Sequence, residues 1–83
     1  MSDKLYADML EQFVEMDDKD LLDQLGIAVR TWKGFRFTED LRVAYENLNS
    51  GRPGYARHIV NGVIGELRAG MTWTAEEILK REG

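Results

Sequence analysis

Residues 18–36, DKDLLDQLGIAVRTWKGFR, decide how the chain folds, because an acidic helical segment, a glycine and a basic aromatic segment meet there. With Asp18 at the first position of a helix-turn-helix frame, Leu21 and Leu25 fall in a first helix and Gly26 at the turn. Ile27, Trp32 and Phe35 then fall on the buried side of a second helix. The segment after Gly26 admits two periods. Read at 3.6 residues per turn, Val29, Trp32 and Phe35 or Arg36 line a helix. Read at period 2, Ile27, Val29 and Thr31 alternate in a strand that turns at Lys33-Gly34 into Phe35-Arg36-Phe37. β-Branched and aromatic residues favour the strand locally, but an isolated two-stranded hairpin is marginal in water. The helix is the leading reading, and a small β-hairpin at 27–37 is the open alternative.

The flanks of this stretch read as helices. On the C-terminal side, Thr38 caps and Glu39 and Asp40 supply first-turn acids, and Leu41, Ala44, Tyr45 and Leu48 follow at i, i+3, i+4 and i+7. This helix stops at Asn49-Ser50-Gly51-Arg52-Pro53-Gly54, a cluster of loop formers in which Pro53 suits a first helical position. The next helix spans about Tyr55 to Ala69, with Ile59, Val60, Val63, Ile64 and Leu67 on a broad apolar face. Gly62 and Gly65 inside it each cost about 1 kcal/mol against alanine, which implies a close helix approach or a local bend. A last helix starts at Thr74, with Thr74 and Glu77 as capping box and Trp73 and Ile78 as hydrophobic staple.

On the N-terminal side, Ser2 caps a helix to about Met16, whose apolar face is Leu5, Met9, Leu10, Phe13 and Met16. Asp3, Asp8, Glu11 and Glu15 make its outer face acidic. Asp17 to Asp20 then break the pattern and supply cap candidates for the next helix, which the left-handed preference of glycine ends at Gly26. The fold expected is therefore all-α: a compact orthogonal bundle of four to five short helices in one domain, residues 1–83.

Composition narrows the function. There is no cysteine, which removes disulfides, thiolate metal sites and a cysteine nucleophile, and stability must come from packing. No apolar run approaches the roughly 18 residues of a membrane span, and the N-terminus lacks the basic and apolar regions of a leader, so a cytoplasmic protein with no membrane partner is expected. The net charge of −4 is unevenly spread: residues 1–29 carry −6, residues 30–68 carry +3 and residues 69–83 carry −1. Catalysis has little to stand on. His58 is the only histidine and lies beside no serine or cysteine arrangement, and Glu76-Glu77 diverge by about 100° on a helix. No catalytic, cofactor or metal residues are assigned.

Three functional readings follow. The favoured one is a non-enzymatic interaction protein, a small acidic regulator or inhibitor that binds a protein partner, with a nucleic-acid-binding protein as one candidate. Asp8, Glu11 and Glu15 on one side and Arg30, Lys33 and Arg36 on the other are its contact candidates. The alternative is a helix-turn-helix DNA-binding regulator using residues 18–36, in which Arg30, Thr31 and Lys33 reach the major groove, with Arg36, Arg42, Arg52 and Arg57 on phosphates. Leu22 at the helix crossing, Gly34 in the recognition helix and the acids Asp17, Asp18, Asp20 and Asp23 argue against it. The third reading is a homodimer or larger homo-oligomer, assembled through the apolar faces of the first helix and the helix after Pro53.

Overall fold

Four helices make up the computed structural model, which describes residues 3–69, and local signals set several of their ends. They are α1 (Asp3–Glu15), α2 (Asp18–Thr31), α3 (Arg36–Asn49) and α4 (Pro53–Arg68). Asp17 is the N-cap of α2, its Oδ1 accepting from the Asp20 N–H at 2.9 Å, with Asp18 and Asp20 in the positively polarised first turn. Pro53 opens α4, where a missing N–H leaves no intrahelical bond unmade. α3 ends in a Schellman arrangement: the Gly51 N–H donates to Leu48 O at 3.2 Å and the Arg52 N–H to Asn47 O at 2.9 Å, with Gly51 at φ 84°. The bundle is all-α, and no strand forms among the described residues. The helix start at Thr74 lies outside them.

In the deciding stretch the 3.6-residue reading holds for residues 27–31, which are helical, but not for residues 32–35. α2 runs unbroken through Gly26 to Thr31, so the helix-turn-helix frame with its turn at Gly26 does not form. Nor does the hairpin at 27–37. The chain does reverse at Lys33-Gly34, with Gly34 at φ 89°, but helices rather than strands flank the turn. Gly26 stays helical because it faces α3: a Cβ built there would stand 3.2 Å from Cε2 of Tyr45. Local grammar reads that glycine as a stop, whereas its tertiary role is to let a ring approach the α2 backbone.

Thr38 also changes role. α3 begins three residues earlier than that cap implies, at Arg36 with Phe35 as an N-cap that makes no side-chain bond. Thr38 is buried in the first turn, where its hydroxyl donates to the Trp32 carbonyl and its N–H to Phe35 O, 3.2 Å away. The α2–α3 turn is thus closed by a side chain from inside α3.

One core joins all four helices. α4 packs most extensively, on α3 and on α1; α2 packs on α3, and α1 touches α2 only slightly. The buried face of α1 is Tyr6, Ala7, Leu10 and Phe13: Leu10 and Phe13 point inward as expected, but Tyr6 and Ala7 take the place of Leu5 and Met9, which are exposed. The reason is aromatic. Tyr6 meets Trp32 edge-on at 4.9 Å between centroids, and Phe35 and Phe37 at 5.3 and 5.6 Å; Phe13 stacks on Trp32 at 6.2 Å. Such pairs are worth about 0.5–1.5 kcal/mol each beyond burial, so several together outweigh exposing Leu5. Leu10 and Phe13 of α1 and Val60, Val63, Ile64 and Leu67 of α4 are buried in this core, whereas Leu5 and Met9, on the α1 face assigned to an oligomer contact, stay exposed. Gly62 and Gly65 are exposed and face open space, so they mark neither a close helix crossing nor a contact within the core.

Candidate functional site

Where Gly26 admits Tyr45, the surfaces of α2 and α3 leave a groove of about 310 Å³. Its walls follow from helical spacing. Leu22, Gly26 and Val29 recur at i, i+4 and i+7 along α2, and Tyr45 of α3 closes the far side. Asp23 and Arg30 stand at opposite ends of the α2 wall, seven residues or about 10.5 Å apart on one face. Ile27 lies between them on the same stripe and is 44% exposed, although the helix-turn-helix frame places it in the core. Its neighbour Ala28 is buried instead. An exposed isoleucine beside an apolar groove, with a carboxylate at one end and a guanidinium at the other, is suited to grip an apolar side chain and fix its direction.

Of the sequence-assigned basic residues, Arg30 alone lines this groove. Lys33 lies in the exposed turn beyond α2, and Arg36 is the exposed first residue of α3. Thr31 is exposed, but its hydroxyl donates to Ile27 O at 2.8 Å. The further phosphate candidates have other occupations. Arg42 pairs with Glu39 at 3.6 Å, and Arg52 donates to Asn47 Oδ1 at 3.5 Å. Arg57 is a structural clamp: Nη2 donates to Met16 O at 2.7 Å, Nε to Val14 O at 3.3 Å and Nη1 to Asp18 Oδ1 at 2.6 Å.

The acidic set lies apart from this groove. Asp8, Glu11 and Glu15 are exposed on α1, and Glu11 is ion-paired with Arg68 of α4. Glu11, Glu15 and Arg68 border a second depression of about 410 Å³ between α1 and α4, floored in part by Gly65. His58 is exposed and stacks on Tyr55 at 6.4 Å. Among the described residues, no three His, Cys, Asp or Glu side chains converge as metal ligands. None of the described helices is long and apolar enough to cross a membrane. The sequence reading missed Leu22, Asp23, Gly26 and Tyr45 as members of one site. The signal available was the Asp23, Ile27, Arg30 stripe at i, i+4 and i+7, which appears only once α2 is continued past Gly26.

No protein-family model matches the chain, and neither a curated protein nor a solved structure is recognisably similar to it. The groove and its charges therefore carry the functional reading by themselves.

Proposed function

We propose that the chain is a non-enzymatic protein-interaction domain, a small acidic regulator or inhibitor, that holds an apolar side chain of a protein partner in the α2–α3 groove. The observation that carries this reading is the groove itself: an apolar floor of Leu22, Gly26, Val29 and Tyr45 with Asp23 and Arg30 at its ends and Ile27 exposed beside it. Apolar contact supplies affinity by removing the groove and the partner side chain from water. The charges supply orientation and exclude partners of the wrong polarity. Asp8, Glu11 and Glu15 form a separate acidic face on α1, outside the groove. A cytoplasmic setting belongs to the same reading, supported by a sequence without cysteine.

The test is affinity capture with the full chain and two surface variants, Ile27→Asp and Arg30→Glu, both at exposed positions. A protein retained by the wild type and lost, by tenfold or more, with either variant is the expected result. Capture that is indifferent to both variants, with helicity intact by circular dichroism, removes the groove from the function.

A further inference from the structure

We infer that the protein partner of the α2–α3 groove is a second copy of this chain, docked antiparallel along α2 about a twofold axis that passes between Gly26 and Ile27. The inference rests on the interaction reading above and names its partner.

The stripe Asp23, Gly26, Ile27, Arg30 is spaced i, i+3, i+4, i+7, the four positions that form one hole for a knob from a facing helix. The groove beside this stripe is open between Leu22, Gly26, Val29 and Tyr45, and Ile27 is itself the exposed apolar knob on the stripe. Knob and hole on one surface are what a self-complementary, isologous interface requires. Each Ile27 enters the hole of the other copy.

Charge then chooses the direction. The midpoint of Asp23 and Arg30 falls between residues 26 and 27, so an antiparallel dyad there brings each Asp23 beside the other copy's Arg30, twice. A parallel pair sets Asp23 against Asp23 and Arg30 against Arg30, two like-charge contacts. Asp20, one turn before Asp23, and Lys33, just beyond the helix end, continue the acidic-to-basic gradient and favour the same direction. Neither Asp23 nor Arg30 has an ion-pair partner among the described residues. An interface centred on one 14-residue helix is of the weak, transient class, so the association is sought at chain concentrations up to roughly 1 mM. The α1 acids lie off the paired stripe and stay exposed in the dimer.

Sedimentation equilibrium of the full chain tests this with Asp23→Lys and Arg30→Glu, checked for wild-type helicity by circular dichroism. The wild type is expected to dimerise, each variant alone to associate at least tenfold more weakly, and an equimolar mixture of the two to regain the wild-type level, since the mixed pair has opposite charges at both contacts. Three results overturn the proposal: a wild type monomeric at 1 mM, single variants that dimerise undiminished, or a mixture that stays monomeric. A monomeric wild type whose groove still captures a different protein, sensitively to Ile27→Asp, sinks the homodimer alone. Loss of both self-association and capture sinks the interaction reading with it.

Discussion

Arg57 shows how one side chain can replace a local cap. α1 ends at Glu15 without a basic residue in its last turn, so its final carbonyls need donors from elsewhere, and Arg57 of α4 reaches Val14 O and Met16 O. The third contact is to Asp18 at the start of α2, whose side chain is 60% exposed against 27% for Arg57. An exposed ion pair is worth about 0–1 kcal/mol, whereas hydrogen bonds from a charged donor are worth about 1.5–3 kcal/mol each. The carbonyl contacts should therefore dominate. Arg57→Ala is expected to destabilise the fold by about 2–3 kcal/mol and Asp18→Asn by less than about 1 kcal/mol, read from urea denaturation. Equal effects from the two variants would assign the stability to the ion pair instead. Thr38 is the second residue of this kind. Thr38→Val keeps the shape but strips the Trp32 carbonyl of its donor, for an expected loss of about 1–2 kcal/mol. Neither role was legible in the sequence: Arg57 bonds to residues 39 to 43 positions away, and nothing adjacent to it encodes that contact.

At the level of elements, four glycines that look alike in sequence separate into three cases. Gly62 and Gly65 sit in α4 with open space where a Cβ would go, so Gly62→Ala and Gly65→Ala are each expected to raise stability by about 0.5–1 kcal/mol through helix propensity alone. Gly34, at φ 89°, is the opposite case: Gly34→Ala forces an L side chain into the left-handed region and is expected to cost about 1–2 kcal/mol. Gly26 lies between them. A methyl there gains the same propensity but presses on Tyr45 at 3.2 Å, so Gly26→Ala must gain less than Gly62→Ala; thermal melts of the four single variants give the ranking directly. A Gly26→Ala variant as stabilised as Gly62→Ala would show that Tyr45 does not hold the α2–α3 approach. These cases also mark what sequence could and could not disclose. The starts of α2 and α4 and the apolar faces of α3 and α4 were readable, because caps, proline and 3.6-residue periodicity act within a few positions. The length of α2 and the phase of α1 were not, since Tyr45 lies 19 positions beyond Gly26, and Tyr6 is drawn inward by Trp32, Phe35 and Phe37. The groove inherits that difficulty: Arg30 was visible as an exposed cation, but its pairing with Asp23 across Ile27 needs an uninterrupted helix.

For the molecule as a whole, the decisive question is whether α1 and α2, which barely touch, belong to one cooperative unit. Their direct contact is slight, and a chain held only by the α3–α4 pairing could lose either helix separately. Two connections oppose that. The aromatic cluster joins Tyr6 and Phe13 of α1 to Trp32 at the end of α2 and to Phe35 and Phe37 at the start of α3, so releasing α1 exposes faces of all three segments. Arg57 ties the end of α1 and the first residue of α2 to the same turn of α4. Leu10, Leu21, Leu25, Leu41, Val60 and Leu67 are buried in one continuous core, and freeing one helix strips contacts from its neighbours at about 1.5–3 kcal/mol for each large side chain exposed. With total stability of a small domain at about 5–10 kcal/mol, two such exposures consume much of it, and a partly unfolded state has little room to be populated. Unfolding in urea is therefore expected to be two-state, with the far-ultraviolet signal of helix and the near-ultraviolet signal of the aromatic cluster falling at one midpoint. If the aromatic signal fell first while helicity persisted, the cluster would be a dispensable end of the bundle, and α1 would detach without the rest. Arg57→Ala sharpens the comparison: it should lower the common midpoint without splitting the two signals, because the aromatic cluster still couples α1 to α2 after the clamp is gone.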